Sequence, residues 1–381
     1  MNIAVICENS TEYGRRLADG IGSYAQGKRD WKLRWYNLGT AFEDMVLSDC
    51  NGIIARIVDD VAANSLGRMP IPVVDVLCLR ERPGFIAAMP DNDAIGRVAA
   101  RHLLSRHYPA FAFIGYRGIL FSSKRLEGFK SELKRNGHEP AEYALELANR
   151  RQEIFSAKTG HFRNMRHLKA WLAALPRPVA IFTANDYLAV NILRVASEIG
   201  IAVPGEMAIL GVDNDRFACA FAETQISSID PNHFGVGFAA ARMLDAAMRK
   251  VPDAKNHPAF LVKPKGIMER VSTGHHAVSP DWFASLLDWI DESIGKTIST
   301  ADLVERAGLS TATVCTTFAK RLGISPLKYI TKIKMETAQR LLKDGDLMVK
   351  EVAARVGYNS PIRFSIAYSN FWGFPPRKTQ S

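Results

Sequence analysis

The chain has 381 residues, 47% of them hydrophobic and 23% charged, with a formal net charge of +10. That length is too great for one ordinary core, so two or three domains are expected, and the composition is that of a globular protein. No run approaches the roughly 18 uninterrupted apolar residues of a membrane helix, which argues against a membrane partner. Met1–Ile6 lacks the basic start and small-residue cleavage site of a signal peptide, so the cytoplasm is the expected location. The cysteines Cys7, Cys50, Cys78, Cys219 and Cys315 are scattered and odd in number, which favours free thiols over disulfides or a zinc site.

Short apolar runs alternate with amphipathic stretches from Asn2 to about Pro264. Strands are expected at Ile3–Cys7, Gly52–Val58, Val73–Cys78, Phe111–Gly115, Val179–Thr183, Met207–Val212 and Phe260–Val262. Helices are expected at Tyr13–Gly27, Asp93–Arg106, Arg125–Arg135, His161–Leu175, Tyr187–Ile199 and Asn232–Arg249. Such alternation specifies parallel α/β sheets, and this many units over some 270 residues suggests two of them. The strand pattern stops at Gly274–Asp281, a polar stretch with Gly and Pro. The domains expected are therefore 1–273, a linker 274–281, and an all-helical 282–381. Helices there are expected at Pro280–Ile294, Thr300–Ala307, Thr311–Arg321, Pro326–Lys343, Val349–Val356 and Pro361–Phe371.

The helical part contains a degenerate repeat. Ala307-Gly308-Leu309-Ser310, then Phe318, then Gly323-Ile324-Ser325-Pro326 returns as Val356-Gly357-Tyr358-Asn359-Ser360, then Tyr368, then Gly373-Phe374-Pro375-Pro376. Each copy reads as helix-turn-helix. Gly308 or Gly357 takes the left-handed turn, Ser310 or Ser360 caps the next helix, and Pro361 suits a first helical position. A rigid helix between the copies can set two recognition helices about one DNA turn, roughly 34 Å, apart. From Thr300 onward there are thirteen Lys or Arg against six Asp or Glu, so double-stranded DNA is the expected partner. Candidate base or phosphate contacts are Thr311, Thr313, Thr316 and Thr317 in the first copy and Arg363, Ser365 and Ser369 in the second. Lys320, Arg321, Lys332 and Lys334 are candidate phosphate ligands.

Gly357-Tyr358, Phe364, Tyr368 and Gly373-x-x-Pro376 carry a resemblance, in order and spacing, to the DNA-binding domain of the AraC family of transcription activators, over about 285–378. The chain departs from that signature at Thr316 and Ile366, where family members usually carry an arginine or similar polar residue. Other segments resemble the ligand core of LacI-type repressors and periplasmic sugar-binding proteins. They are Met89–Asp93 with Gly96, Phe113-Ile114-Gly115, Ser122-x-x-Arg125-x-x-Gly128-Phe129, Thr183–Asp186 and Ile209–Asp215. Such a two-lobed core joined to an AraC-type output is the architecture of the xylose-regulator group.

Asp91, Asn185 and Asp213 fall at or just after the carboxyl ends of strands, where ligands sit in open α/β sheets. Carboxylates, amides and the Arg125 fork can pair with vicinal hydroxyls. The resemblance singles out Arg125, Asn185 and Asp213 as contacts of a sugar effector. Tyr13, Arg15 and Arg56 are further candidates from the other lobe. It also implies a homodimer through the first domain, with RNA polymerase as a further partner. No Gly-x-Ser-x-Gly, P-loop or His-Glu-x-x-His is present, and Gly235-x-Gly237 lies inside a helical pattern. No catalytic residue, cofactor or metal is therefore expected; His275-His276 lack a third ligand nearby in sequence. A sugar-responsive DNA-binding regulator is favoured over two alternatives. One is an α/β enzyme with a helical accessory domain; the other is a binding module whose helical domain contacts protein.

Overall fold

The computed structural model describes residues 1–38, 40, 45, 47–82, 84–146, 165–250, 259–278, 280–343 and 347–379. The chain divides into two compact units, Met1–Thr273 and Gly274–Ser381.

The first unit contains two six-stranded sheets. One takes β1 (Asn2–Ile6), β2 (Lys32–Tyr36), β3 (Gly52–Ala55), β4 (Val73–Asp75), β5 (Ile86–Pro90) and β11 (Phe260–Val262), in the order β11-β5-β4-β3-β1-β2. The other takes β6 (Ala110–Tyr116), β7 (Pro140–Leu145), β8 (Val179–Thr183), β9 (Met207–Val212), β10 (Ser227–Asp230) and β12 (Gly266–Met268), in the order β12-β10-β9-β8-β6-β7. All pairs are parallel except β10 with β12. Setting aside the added strands β11 and β12, both sheets repeat one doubly wound order, which creates a crevice at the carboxyl ends of the strands.

The helices are α1 (Glu12–Gln26), α2 (Asp60–Gly67), α3 (Asn92–Ser105), α4 (Leu120–Arg135), α5 (Met165–Ala174), α6 (Asp186–Glu198), α7 (Arg216–Ala220) and α8 (His233–Met248). Residues 161–164 of the helix expected at His161–Leu175 lie outside the described residues. Helix α1 packs on α8 and α3 on α4, both pairs brought together by glycine. A Cβ at Gly20 would stand 2.0 Å from the Phe234 carbonyl oxygen, and one at Gly96 would stand 2.1 Å from that of Arg125. Any side chain at Gly96 would push α4 away and carry Arg125 with it. The described chain passes between the sheets three times: from β5 to α3, from β10 to α8, and from β11 to β12.

Several elements were not expected from the pattern. β2 (KLRWY) is a charged edge strand, β10 (SSID) is polar, and β12 has three residues. β5, β7, α2 and α7 were also missed. Cys7, Cys50, Cys78 and Cys219 are buried and free, and Cys315 is half-buried.

The second unit is helical: α9 (Asp281–Glu292), α10 (Thr300–Ala307), α11 (Thr311–Leu322), α12 (Pro326–Lys343), α13 (Val349–Arg355) and α14 (Pro361–Trp372). It has two small cores. Phe283, Leu287 and Phe318 belong to the first, Phe364 and Tyr368 to the second. Helix α12 serves both, lending Tyr329 and Ile330 to one and Met335, Ala338 and Leu342 to the other. The turn glycines are left-handed, with φ of 63° at Gly308 and 74° at Gly357. Ser310 and Ser360 cap α11 and α14, accepting the N–H of Thr313 at 3.1 Å and of Arg363 at 3.4 Å.

The stretch expected to be a linker is tied down within this unit. His276 is buried, and its backbone N–H and Nδ1 lie 2.8 and 2.7 Å from Asp288 Oδ1. His275 Nδ1 lies 2.7 Å from the other oxygen of the same carboxylate. Asp288 is thereby held down at about 2: burial opposes this, but the hydrogen bonds from both histidines outweigh it.

Candidate ligand cleft and DNA-reading helices

A cleft of about 540 Å³ opens in the first unit where the carboxyl ends of both sheets meet. From the second sheet come Phe121, Arg125, Asn185, Tyr187 and Asp213. Arg125 is buried; its Nε donates to Asn92 Oδ1 at 2.9 Å, and a terminal nitrogen donates to the Ala184 carbonyl. Its other terminal nitrogen is 4.0 Å from Asp213 Oδ1, and its carbon lies 4.9 Å from the centroid of Phe121. Burial pulls the guanidinium below its ordinary value, against the opposing charge of Asp213, and a guanidinium is not deprotonated in proteins. Asn185 caps α6: its oxygen accepts the Leu188 N–H at 2.9 Å and the Tyr116 hydroxyl at 3.1 Å.

Asp213 sits in a strained turn, with φ of 114°, followed by Asn214 at 48°. Asp186 braces that turn from below. Its buried carboxyl accepts the Asp215 N–H at 2.8 Å and the Ser228 hydroxyl at 2.6 Å. Burial first, and then the Asp213 charge, push Asp186 well above the usual carboxylate range. Tyr187 donates to Asp215 at 3.1 Å and closes the same corner.

From the first sheet come Thr11, Tyr13 and Arg56. The Tyr13 hydroxyl donates to the Val76 carbonyl at 2.7 Å. Its ring lies 4.2 Å from the Arg56 guanidinium and 4.4 Å, edge-on, from His233. Arg56 is buried and ion-paired with Glu8; burial lowers it to about 10. His233 Nε2 completes the set, 3.3 Å from Asp213 Oδ1. Each guanidinium thus faces a carboxylate, Arg56 with Glu8 and Arg125 with Asp213. The cleft accordingly suits a neutral, hydroxyl-rich molecule with an apolar face for Phe121 and Tyr13.

The cleft brings together Arg125, Asn185, Asp213, Tyr13 and Arg56. Two sequence candidates lie elsewhere. The Asp91 carboxylate folds back to cap α3, accepting the Ala94 N–H at 2.9 Å, and its neighbours Pro90 and Asn92 line the cleft instead. Arg15 turns outward to Glu12 at 3.1 Å and to the carbonyls of Asn9 and Ser10. Thr11, Asn92, Phe121, Tyr187 and His233 are lining residues that the sequence reading missed. Among the described residues, no three of His, Cys, Asp and Glu are grouped to hold a metal.

In the second unit, Thr311, Thr313, Thr316, Lys320 and Arg321 are exposed on α11, and Arg363 is exposed on α14. The hydroxyls of Thr317, Ser365 and Ser369 are half-buried and donate to carbonyls of their own helices, at 2.8, 2.9 and 2.8 Å. Thr313 Oγ1 pairs with the capping Ser310 at 2.9 Å. Lys332 is exposed beside Glu336. Lys334 is a correction: it is buried, and its Nζ donates to the Lys296 carbonyl at 2.7 Å and reaches that of Gly357 at 3.5 Å. An ammonium spent on two carbonyls inside the unit is not presented to a phosphate.

A charge pattern not singled out in the sequence reading completes this surface. The acidic residues of the unit fall in 281–305 and 336–351, leaving 306–335 and 352–381 without an Asp or Glu. Helix α11 lies in the first acid-free stretch and α14 in the second.

Comparison with known proteins agrees with both halves. Residues 100–273 match the periplasmic binding protein-like domain, and residues 303–381 match a helix-turn-helix domain. The chain is 24% identical over 389 aligned positions to the xylose operon regulatory protein of Escherichia coli K12, covering 99% of this chain and 96% of that protein. The protein of the same name from Haemophilus influenzae is 22% identical, covering 99% and 97%. A solved structure described as a xylose-binding transcription activator superposes with a TM-score of 0.61 at 21% identity, covering 100% of this chain and 97% of the other. No described helix is long and apolar enough to cross a membrane. The chain thus carries a periplasmic-binding-protein-like domain followed by a helix-turn-helix domain, and it is similar along almost its whole length to the xylose operon regulatory proteins.

Proposed function

We propose that this protein is a sugar-responsive, DNA-binding transcription regulator of the cytoplasm. The observation that carries the reading is the charge-balanced cleft built on Arg125 and Asp213, in the same chain as a paired helix-turn-helix. Its effector is a neutral monosaccharide, xylose or a close relative, the ligand class named for its relatives. Arg125, Asn92, Asn185, Asp213 and His233 supply hydrogen bonds to hydroxyls, and Phe121 and Tyr13 cover the ring. Sheets joined by three crossings can close on a ligand, which shifts the equilibrium only by binding the closed form more tightly. The protein acts as a homodimer, the commonest arrangement for two-fold DNA sites. The test is a thermal-shift series over pentoses and hexoses, followed by promoter binding with and without the sugar that raises the melting temperature. A cleft that no sugar stabilises at millimolar concentration overturns the effector assignment.

A further inference from the structure

Helix α14 carries two exposed branched apolar residues, Ile362 at 73% and Ile366 at 57% of full exposure, one turn apart. On its opposite side Phe364 and Tyr368 are fully buried in the second core. The outward face has Arg363 between the isoleucines, no acidic residue, and the exposed Arg377 and Lys378 downstream. Fifty positions earlier, at the corresponding places of α11, the chain has Ala312 and Thr316, both exposed. The two copies therefore offer different chemistry to whatever they face. The acid-free basic surroundings select a polyanion as the occupant of this apolar face. In the major groove, the apolar feature of a base edge is the 5-methyl group of thymine; the rest of that edge is hydrogen-bond donors and acceptors.

We propose that Ile362 and Ile366 read thymine methyl groups, so that the half-site under α14 is selected for A·T pairs by apolar contact. The half-site under α11 is read by the hydroxyls of Thr311 and Thr316. This rests on the reading of the protein as a DNA-binding regulator, and the experiment separates the two. Full-length protein is used to enrich sites from a pool of randomised duplexes, and thymines of the best site are then replaced one at a time by deoxyuridine. Deoxyuridine keeps every hydrogen bond and removes only the methyl. The expected result is a loss of about fourfold in affinity at each contacted thymine of one half-site, the value of one buried methyl. A smaller loss is expected in the other half-site, where Ala312 and the Thr316 methyl offer less apolar surface. Ile362→Ala and Ile366→Ala, both at exposed positions that leave the core untouched, should bind the two forms of the site more equally. An enriched site whose affinity is unchanged by every replacement overturns the methyl readout alone, and points to a protein partner for this face. Failure to enrich any sequence overturns the DNA-binding reading as well.

Discussion

The first unit buries the charges that line its candidate cleft, and the second wears its charges outside. Arg56 and Arg125 are almost sealed from solvent, each facing a carboxylate. Lys320, Arg321, Lys332, Arg363 and Arg377 stand exposed on two acid-free stretches. Buried, paired charge demands a partner of matching shape, because any group left unmatched keeps its desolvation cost. Exposed charge is screened and sums over many weak contacts, so it gives reach and affinity with little selectivity. One molecule thus carries two electrostatic regimes, one suited to choosing a small ligand and one suited to holding a long polyanion.

Salt should expose this difference most sharply. Between 50 and 200 mM salt, DNA affinity should fall by about 10³-fold if some six phosphates are neutralised. Sugar affinity over the same range should change by less than about twofold. Anisotropy and calorimetry on the same preparation measure both; equal salt sensitivity would break the comparison.

Arg125→Ala should follow in size. It removes the donor fork and leaves Asp213 without its counter-charge, so sugar affinity should drop by about 100-fold or more. DNA binding without sugar should remain, with a fold stable enough to give a cooperative melt. Unchanged sugar titration would remove Arg125 from the site.

A smaller effect tests the exception in the second unit, the half-buried Asp288 with His275 and His276. Its carboxyl is lowered from 3.8 to about 2, so the stability it contributes is fully present above pH ~4 and lost as pH falls through about 2. His275 is raised by the same hydrogen bond, so its share is full below its ordinary value of 6.5 and is lost as pH rises through its raised one. Partial exposure discounts the whole to about 1 kcal/mol. Asp288→Asn should cost that much near pH 6, and urea melts should show the gap narrowing below pH 4. A gap independent of pH would make the pair structural only through packing.

The smallest change is Lys320→Ala. One exposed cation should weaken binding two- to threefold for any sequence and lower the salt slope by about 0.9. A larger loss confined to one sequence would mean that Lys320 touches a base.

The two sheets and the duplicated turn were legible because period-2 and period-3.6 patterns and paired glycines are local signals. Strands such as β10 and β12 were not, since they are polar or short and take their identity from neighbours distant in sequence. The cleft was half legible for a related reason. Asp91 looked like a ligand residue, but a capping side chain bends back onto its own helix. That leaves the next residue, Asn92, to face the cleft. His233 repeats the arrangement one position after the cap Asn232. Only the folded crossing puts these first helical residues beside Arg125 and Asp213.

Lys334 has a consequence for the DNA itself. Its ammonium joins the Lys296 carbonyl, before the first copy, to the Gly357 carbonyl, in the turn of the second. A Cβ on Gly357 would press to 2.7 Å from that same nitrogen. If α11 and α14 read one duplex, this joint makes them act as a caliper. Each inserted base pair turns the duplex by roughly 34° and lengthens it by about 3.4 Å, so a caliper must lose its grip when its two half-sites drift out of helical phase. Under the proposed function, the spacing of the operator would be set in part by a lysine buried inside the protein.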